Sequence, residues 1–372
     1  MKLNIAVLPG DGIGPEVTEQ AVKALKAIAL EFDHNFTFTY APVGAIAIDE
    51  TGSPLPEKTL KVCKTNDAIL FGAIGDPKYD NDPSAKVRPE QGLLQLRKSL
   101  GLFANIRPVK AYDSLIEKSP LKRNIIKGTD ISIYRELTGG IYFGEKQLSE
   151  DGNKASDLCE YSREEIERIS HLAFKAAQSR KHKVTLVDKA NVLESSRLWR
   201  KVVKEVAANY ADVKLDFLFV DNAAMQMILN PKQFDVILTE NMFGDIISDE
   251  ASVIGGSIGL LASASVGEKH AMFEPIHGSY PQAKGKGIAN PIASILSAAM
   301  LLEHFNLHDE ALMLKNAVEK SLKLHITTPD INPKHDNVTT TKVGDFIEDY
   351  ISNPNDTNLN FKNIHLGQST II

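Results

Sequence analysis

Residues 3–15 read Leu3-Asn4-Ile5-Ala6-Val7-Leu8-Pro9-Gly10-Asp11-Gly12-Ile13-Gly14-Pro15, a short apolar strand that runs into three glycines and then a proline. Pro15 opens a helix whose apolar positions Val17, Ala21, Ala24, Leu25 and Ile28 recur at helical spacing. A strand, a glycine turn and a helix in that order invite a Rossmann reading, whose fingerprint is G-x-G-x-x-G with an acidic residue about 20 positions on. Here the glycines fall at 10, 12 and 14, and the fingerprint fails. What remains is a tight strand-to-helix turn made of conformationally permissive residues.

Beyond that turn, short apolar runs predict strands over 36–43, 68–73, 140–143, 184–187, 214–220 and 236–238. Helical periodicity marks 90–99, 163–179, 195–210, 223–229, 245–253, 292–305 and 309–324. Strand and helix alternate along most of the chain, which predicts an α/β architecture with a buried sheet. The 372 residues are enough for two cores, or for one domain with a large lobe inserted in it. No internal repeat is visible. The tail from Ser352 onward is polar and asparagine-rich with one late apolar cluster, and its order stays open.

A net charge of −6 with no long basic run gives a nucleic acid or an anionic membrane no electrostatic support. Cys63 and Cys159 are far apart and lack metal-ligand spacing, which suits a reducing compartment without a disulfide framework. The first ten residues read as a strand rather than a signal peptide. The longest uncharged stretch, 251–267, is broken by Gly255, Gly256 and Gly259 and falls short of the ~20 apolar residues a membrane helix needs. The expectation is a soluble, cytoplasmic protein.

Several residues suit chemistry. Asp245 and Asp249 lie four apart in Asn241-Met242-Phe243-Gly244-Asp245-Ile246-Ile247-Ser248-Asp249-Glu250, so a helix there puts both on one face. Like charges so placed repel unless a cation binds them, and paired carboxylates on rigid backbone suit a hard divalent ion. The other reading is a solvated helix start that complements the dipole. Asp221 follows the apolar run 217–220 and precedes a helix, a place where ligands collect in α/β proteins and where an N-cap is the alternative use of an aspartate. Arg97, Arg107 and Arg135 offer guanidinium forks matched to carboxylates, although isolated arginines are more often solvated. Lys189 follows the strand 184–187 and Asp188; a bound cation and arginines nearby would lower its pKa and make it a base, while a surface lysine is the plainer alternative. Tyr142 falls in the middle of an apolar strand, as a proton donor or as core. Glu274-Pro275-Ile276-His277-Gly278-Ser279-Tyr280-Pro281, then Gly285-Lys286-Gly287-Ile288-Ala289-Asn290-Pro291 and an apolar helix, suits phosphates and a ribose, or is a glycine-rich loop and nothing more.

In their order and spacing these segments resemble the isocitrate and isopropylmalate dehydrogenase family of metal-dependent β-decarboxylating dehydrogenases. The resemblance runs from Gly10-Asp11-Gly12-Ile13-Gly14-Pro15-Glu16 to about Phe346, and its most specific pieces are Asp188-Lys189-Ala190-Asn191-Val192, Val220-Asp221-Asn222-Ala223-Ala224 and residues 241–250. It implies a two-lobed α/β fold other than Rossmann, a mixed sheet flanked by helices with the active site in a cleft between lobes. Residues 1–102 and 256–372 would form the nucleotide-binding lobe, and 103–255 the lobe for substrate, metal and dimerisation. It implies further that Arg97, Arg107 and Arg135 grip the substrate carboxylates and that Tyr142 and Lys189 are catalytic acid and base. Asp221, Asp245 and Asp249 would ligate Mg²⁺ or Mn²⁺, with Asp221 also at the substrate. NAD would be held by Glu90, Glu274, His277, Gly278, Ser279, Tyr280, Gln282 and Asn290. Lys189 and Asp221 would come from the second subunit of a homodimer.

The resemblance also carries a substrate. Leu93 and Leu94, one turn before Arg97, would face its side chain, with Val192 beside them. Isocitrate dehydrogenases place serine and asparagine hereabouts to hold a third carboxylate, which an apolar pair leaves unpaired; burying an isopropyl group instead is favourable by about 2 kcal/mol. The expected substrate is therefore 3-isopropylmalate, with malate, tartrate or homoisocitrate as alternatives. A non-catalytic regulatory subunit would lose a metal aspartate, the lysine or the tyrosine, and this chain keeps them all. Two positions depart from the family. Gln282 stands where an aspartate usually binds the adenosine ribose, which removes a charge that repels a 2′-phosphate, yet the lysine of NADP-dependent relatives is also missing. Ala262 stands where a proline is common.

Overall fold

The computed structural model describes residues 1–80, 87–333 and 338–353, so most of the tail lies outside the described residues. The chain divides into two compact units: Met1–Leu96 with Ile258–Ala262 and Ala271–Ile372, and Arg97–Ser257 with Ser263–His270.

The first unit is built on four parallel strands in the order Asn35–Tyr40, Lys2–Gly10, Ala68–Ala73, Ala271–Pro275. Ala68–Ala73 is buried at every position, as expected of a parallel strand covered on both faces. Its helices include Gly14–Glu31, Ile292–His304, His308–Lys323 and Thr340–Ser352, which pack on one another. Ile292–His304 is apolar almost all round and correspondingly buried.

The glycine turn is where this unit closes on itself. Gly10 and Gly12 have φ of +70° and +57°, a region L side chains rarely enter. The Asp11 N–H donates to the Ala73 carbonyl at 2.8 Å, and the Ile13 N–H to the Ser279 carbonyl at 2.7 Å. The buried Asp11 carboxylate accepts the N–H groups of Ala45 (2.9 Å), Ile46 (3.0 Å) and Gly75 (3.0 Å). Burial pushes its pKa up against the pull of those three donors. One short turn thus ties together a helix start, a strand end and the loop that follows the strand Ala271–Pro275.

The second unit holds a mixed array in the order Ala262–Val266, Ala104–Lys110, Asp130–Glu136, Val236–Thr239, Lys183–Asp188, Lys214–Phe219. Its first two pairings are antiparallel and the rest parallel. Helices Arg163–Gln178 and Glu194–Ala207 bury Phe174, Trp199 and Val203 in one core cluster. Val220–Leu229 and Asn241–Ser252 bury Ala223, Met227, Ile247 and Ala251 in another. The start of Arg163–Gln178 is a capping box, Ser162 with Glu165. Lys146–Leu148 and Ala155–Asp157 form an exposed antiparallel pair. Both cysteines are free, and among the described residues no helix is long and apolar enough to cross a membrane.

Three expectations are corrected. Residues 140–143 are not a strand: Gly140–Tyr142 is a 3₁₀ turn, because Gly140 has φ +75° and both glycines lie against the Tyr161 ring. The helix expected from 245 begins at Asn241, so Asp245 sits a turn inside it rather than at its start. At the preceding helix, Phe219 holds the N-cap position, so Asp221 is not an N-cap. The strands Ala104–Lys110 and Asp130–Glu136 had no sequence prediction.

A Cβ on Gly10 would sit 1.9 Å from the Ala73 carbonyl oxygen, whereas one on Gly52, φ +77°, meets nothing within 4 Å. Gly52→Ala should therefore cost only the conformational penalty of about 1 kcal/mol, and Gly10→Ala at least about 3 kcal/mol, in urea unfolding. Equal losses would mean that the turn does not depend on this close approach.

Candidate active site

The site begins with two neighbouring strands. In the antiparallel pairing of Ala104–Lys110 with Asp130–Glu136, Asn105 lies opposite Arg135 and Arg107 opposite Ile133. The two-residue period then puts Asn105, Arg107 and Arg135 on one face. Asn105 is buried and its amide oxygen accepts the Arg107 Nε–H at 2.8 Å, which fixes the guanidinium.

Over that face lies the helix Asn241–Ser252, with Asp245 and Asp249 one turn apart. Arg135 pairs with Asp245. Arg107 donates to Ser248 at 2.6 Å and Asp249 at 3.1 Å, and stands 3.6 Å from Asp245. The Tyr142 hydroxyl donates to Asp245 Oδ2 at 3.1 Å, and its ring lies 5.8 Å from the Arg135 guanidinium. Burial pushes the Arg135 pKa down to about 10, still protonated at neutral pH; Asp245 opposes the shift while Arg107 and Arg97 add to it. The Tyr142 phenol is pushed up by burial and by Asp245. Arg97, Arg107, Arg135, Tyr142, Asp245 and Asp249 thus act on one another within a single cluster. Three guanidiniums gathered in one partly buried place make a setting that suits an anion.

Lys189 and Asp221 form a second group. Lys189 follows the strand Lys183–Asp188 and Asp221 lies in the first turn of Val220–Leu229; their Nζ–Oδ1 distance is 2.6 Å. The exposed Asp221 carboxyl is held low by that ammonium. Among the described residues no three His, Cys, Asp or Glu side chains gather as a metal-holding group, so within one chain Asp221 stands with Lys189 and not with Asp245 and Asp249. Val192, at the end of the Lys189 turn, is 60% exposed.

In the first unit, Glu274 is buried in the strand Ala271–Pro275 and Ser279 is buried beyond it. His277 Nδ1 lies 3.0 Å from the Gly278 carbonyl, which assigns the proton to Nδ1. Its Nε2 is then an acceptor, closed off from solvent and unmatched. Burial lowers the His277 pKa. Gly278, exposed Tyr280 (φ +39°) and exposed Gln282 complete the turn. Asn290 is occupied structurally: its Nδ2 donates to Asp330 at 3.0 Å and its Oδ1 accepts the Ile292 N–H. Glu90 is exposed in the first turn of Pro89–Leu100, its carboxylate close to Gly75. Leu93 is half-buried on the same helix, and Leu94 is 49% exposed.

The model of the isocitrate/isopropylmalate dehydrogenase family matches residues 4–347. The chain belongs to that family. It is similar to the 3-isopropylmalate dehydrogenases of Bacteroides fragilis (55% identical, over 94% of this chain and 99% of the relative) and Bacillus subtilis (55%, 89% and 92%). Among solved structures it resembles isocitrate dehydrogenase from Methylococcus capsulatus, with TM-score 0.82, 33% identity and coverage of 94% and 99%. It also resembles an apo β-decarboxylating dehydrogenase from Thermococcus kodakarensis, with TM-score 0.79, 38% identity and coverage of 94% and 96%. As a family member the chain is an oxidoreductase with the expected mixed α/β architecture.

Around these family residues lie others that sequence reasoning missed: Asn105, Ser248, Asn241, Tyr161 and Glu240. Glu240, 3% exposed, is hydrogen-bonded by the Ser196 hydroxyl, which in turn accepts the Lys189 backbone N–H at 3.1 Å. Burial, with the charge of Asp188 adding to it, raises the Glu240 pKa to about 7. The only signal available in the sequence was the acidic residue directly ahead of Asn241, which reads equally as an exposed N-cap.

Because the folded state holds this proton more tightly than the unfolded chain, stability is lost as pH rises from about 4.5 to about 7 and stays low above. Glu240→Gln carries no such proton. Its stability relative to wild type should therefore improve between pH 5 and pH 8 by up to about 3 kcal/mol in urea unfolding. A difference that does not change with pH would show that Glu240 titrates normally.

Proposed function

We propose that the chain oxidises and decarboxylates 3-isopropylmalate with NAD and Mg²⁺ or Mn²⁺, a reaction of leucine biosynthesis in the cytoplasm. The observation that carries the chemistry is the meeting of three arginines, a tyrosine and two aspartates in one cluster; the relatives' names support the choice of substrate.

The residues fit both absent groups. Asp245 and Asp249 present hard oxygens one helical turn apart, with Asp221 supplied by a partner, and the unmatched Nε2 of His277 seeks a donor of the kind a nucleoside carries. When bound, the nicotinamide supplies the hydride acceptor and the metal the Lewis acidity that lowers the hydroxyl pKa. Arg97, Arg107 and Arg135 hold the carboxylates and so fix which bond breaks. In the resting cluster Arg135 and Arg107 are paired with Asp245 and Asp249; Asp245 and Asp249 would hold the metal, and the arginines would then be released to the substrate. Lys189 Nζ, once neutral, takes the hydroxyl proton as hydride leaves C2, and the Tyr142 hydroxyl protonates the carbon that has lost its carboxylate as CO₂. Leu93, Leu94 and Val192 take the isopropyl group.

The separation of Lys189 and Asp221 from the cluster supports a homodimer in which each chain completes its partner's site. So do Met225, Ile228, Leu229, Ile246 and Val253, exposed apolar residues on or just after two helices that pack together.

NADH formation, followed at neutral pH, should require Mn²⁺ or Mg²⁺ and occur with 3-isopropylmalate but not with isocitrate or malate. Turnover of another acid would keep the chemistry and discard the role of Leu93 and Leu94. Co-expressing Lys189→Met with Arg135→Ala, each inactive alone, should restore roughly a quarter of wild-type activity, since half the dimers are mixed and carry one intact site of two. No recovery in purified mixed dimers would rule out shared sites.

A further inference from the structure

We infer that Asn241 is a positioning residue that holds the proton donor and the carboxylate clamp of this site in one register. It is fully buried. Its Oδ1 accepts two donors of Arg135, Nε at 3.0 Å and Nη2 at 2.8 Å, which leaves Nη1 directed at Asp245. Its Nδ2 donates to the Gly139 carbonyl at 3.1 Å. Its backbone N–H, the first of the helix that carries Asp245 and Asp249, donates to the Tyr161 hydroxyl at 2.9 Å.

The Gly139 peptide matters because Tyr142 hangs from it. The Gly139 N–H is held from the other side by Glu136 Oε2 at 2.7 Å. A Cβ on Gly140 would lie 2.1 Å from the Tyr161 hydroxyl. Tyr161 therefore wedges the turn from below, Glu136 takes its N–H, and Asn241 takes its C=O. An amide side chain offers an acceptor to Arg135 and a donor to Gly139 at once. Aspartate keeps the first bond and turns the second into a repulsion; alanine loses both.

This inference rests on the reading of Tyr142 as the proton donor, and its test has one arm that does not. In protein labelled with fluorotyrosine, with the Tyr142 resonance identified by its loss in Tyr142→Phe, Asn241→Asp should shift or broaden that resonance. An unchanged Tyr142 resonance in folded Asn241→Asp overturns the inference, whatever the substrate proves to be. The second arm uses the acid that wild type turns over. Asn241→Asp should lower kcat about 10- to 100-fold, the range for a displaced catalytic group, with KM held within about threefold. Asn241→Ala should lower kcat and raise KM together, because Arg135 is released as well.

In a Tyr142→Phe background the added effect of Asn241→Asp on kcat should nearly vanish, since the proton donor it positions is already gone. A loss of equal size in both backgrounds would mark Asn241 as a general structural residue and overturn the proposal. A fully active Tyr142→Phe would instead sink the role of Tyr142, leaving the fluorine measurement to decide whether Asn241 places its ring.

Discussion

A guanidinium only 6% exposed must find partners, and Arg135 is that case. Its strand, Asp130–Glu136, pairs with Ala104–Lys110 on one side and Val236–Thr239 on the other, so Arg135 stands in the middle of the second unit. Asn241 and Asp245 satisfy its donors from one helix. The requirement to pair this charge fixes where that helix begins, which face it turns inward, and where the Gly139–Gly140 turn crosses it.

The electrostatics of the cluster follow from the same constraint. Arg107 and Arg135 are spoken for by Asp249 and Asp245. In the proposed reaction, a divalent cation at the aspartates and a dianion at the arginines would exchange these internal pairs for ligand pairs, and each exchange would make the other easier. That reading would favour cation and anionic substrate arriving together over either alone.

The first unit solves a different problem, a loop that must hold its shape without a regular ladder. Asp11 and the glycines beside it tie the strand end at Ala73, the start of the 45–51 helix and the Ser279 carbonyl to one turn. The glycines that failed as a dinucleotide fingerprint therefore support the loop after Pro275 at one remove: they approach it with backbone, where a Cβ would collide. Within that loop the acceptor nitrogen of His277 is enclosed and has no hydrogen-bond donor.

Periodicity and turn chemistry by themselves determined the α/β class and most of the long helices. They served because those elements bury an apolar stripe against a sheet, and a stripe is written locally. Asp245, Asp249 and Asp221 stood out by their spacing and place at element ends, while Lys189 and the three arginines took their roles from the resemblance. The strands Ala104–Lys110 and Asp130–Glu136 were not legible, because Asn105, Arg107 and Arg135 break their apolar alternation with the polar groups the site requires. Tyr142 read as a strand residue because the φ of Gly140 is set by the distant Tyr161 ring. Which carboxylate meets which guanidinium, the enclosed proton of Glu240 and the bonds of Asn241 were decided by tertiary structure alone. Each depends on side chains far apart in sequence losing water together, and a desolvated charge takes its partner from space, not from its neighbours along the chain.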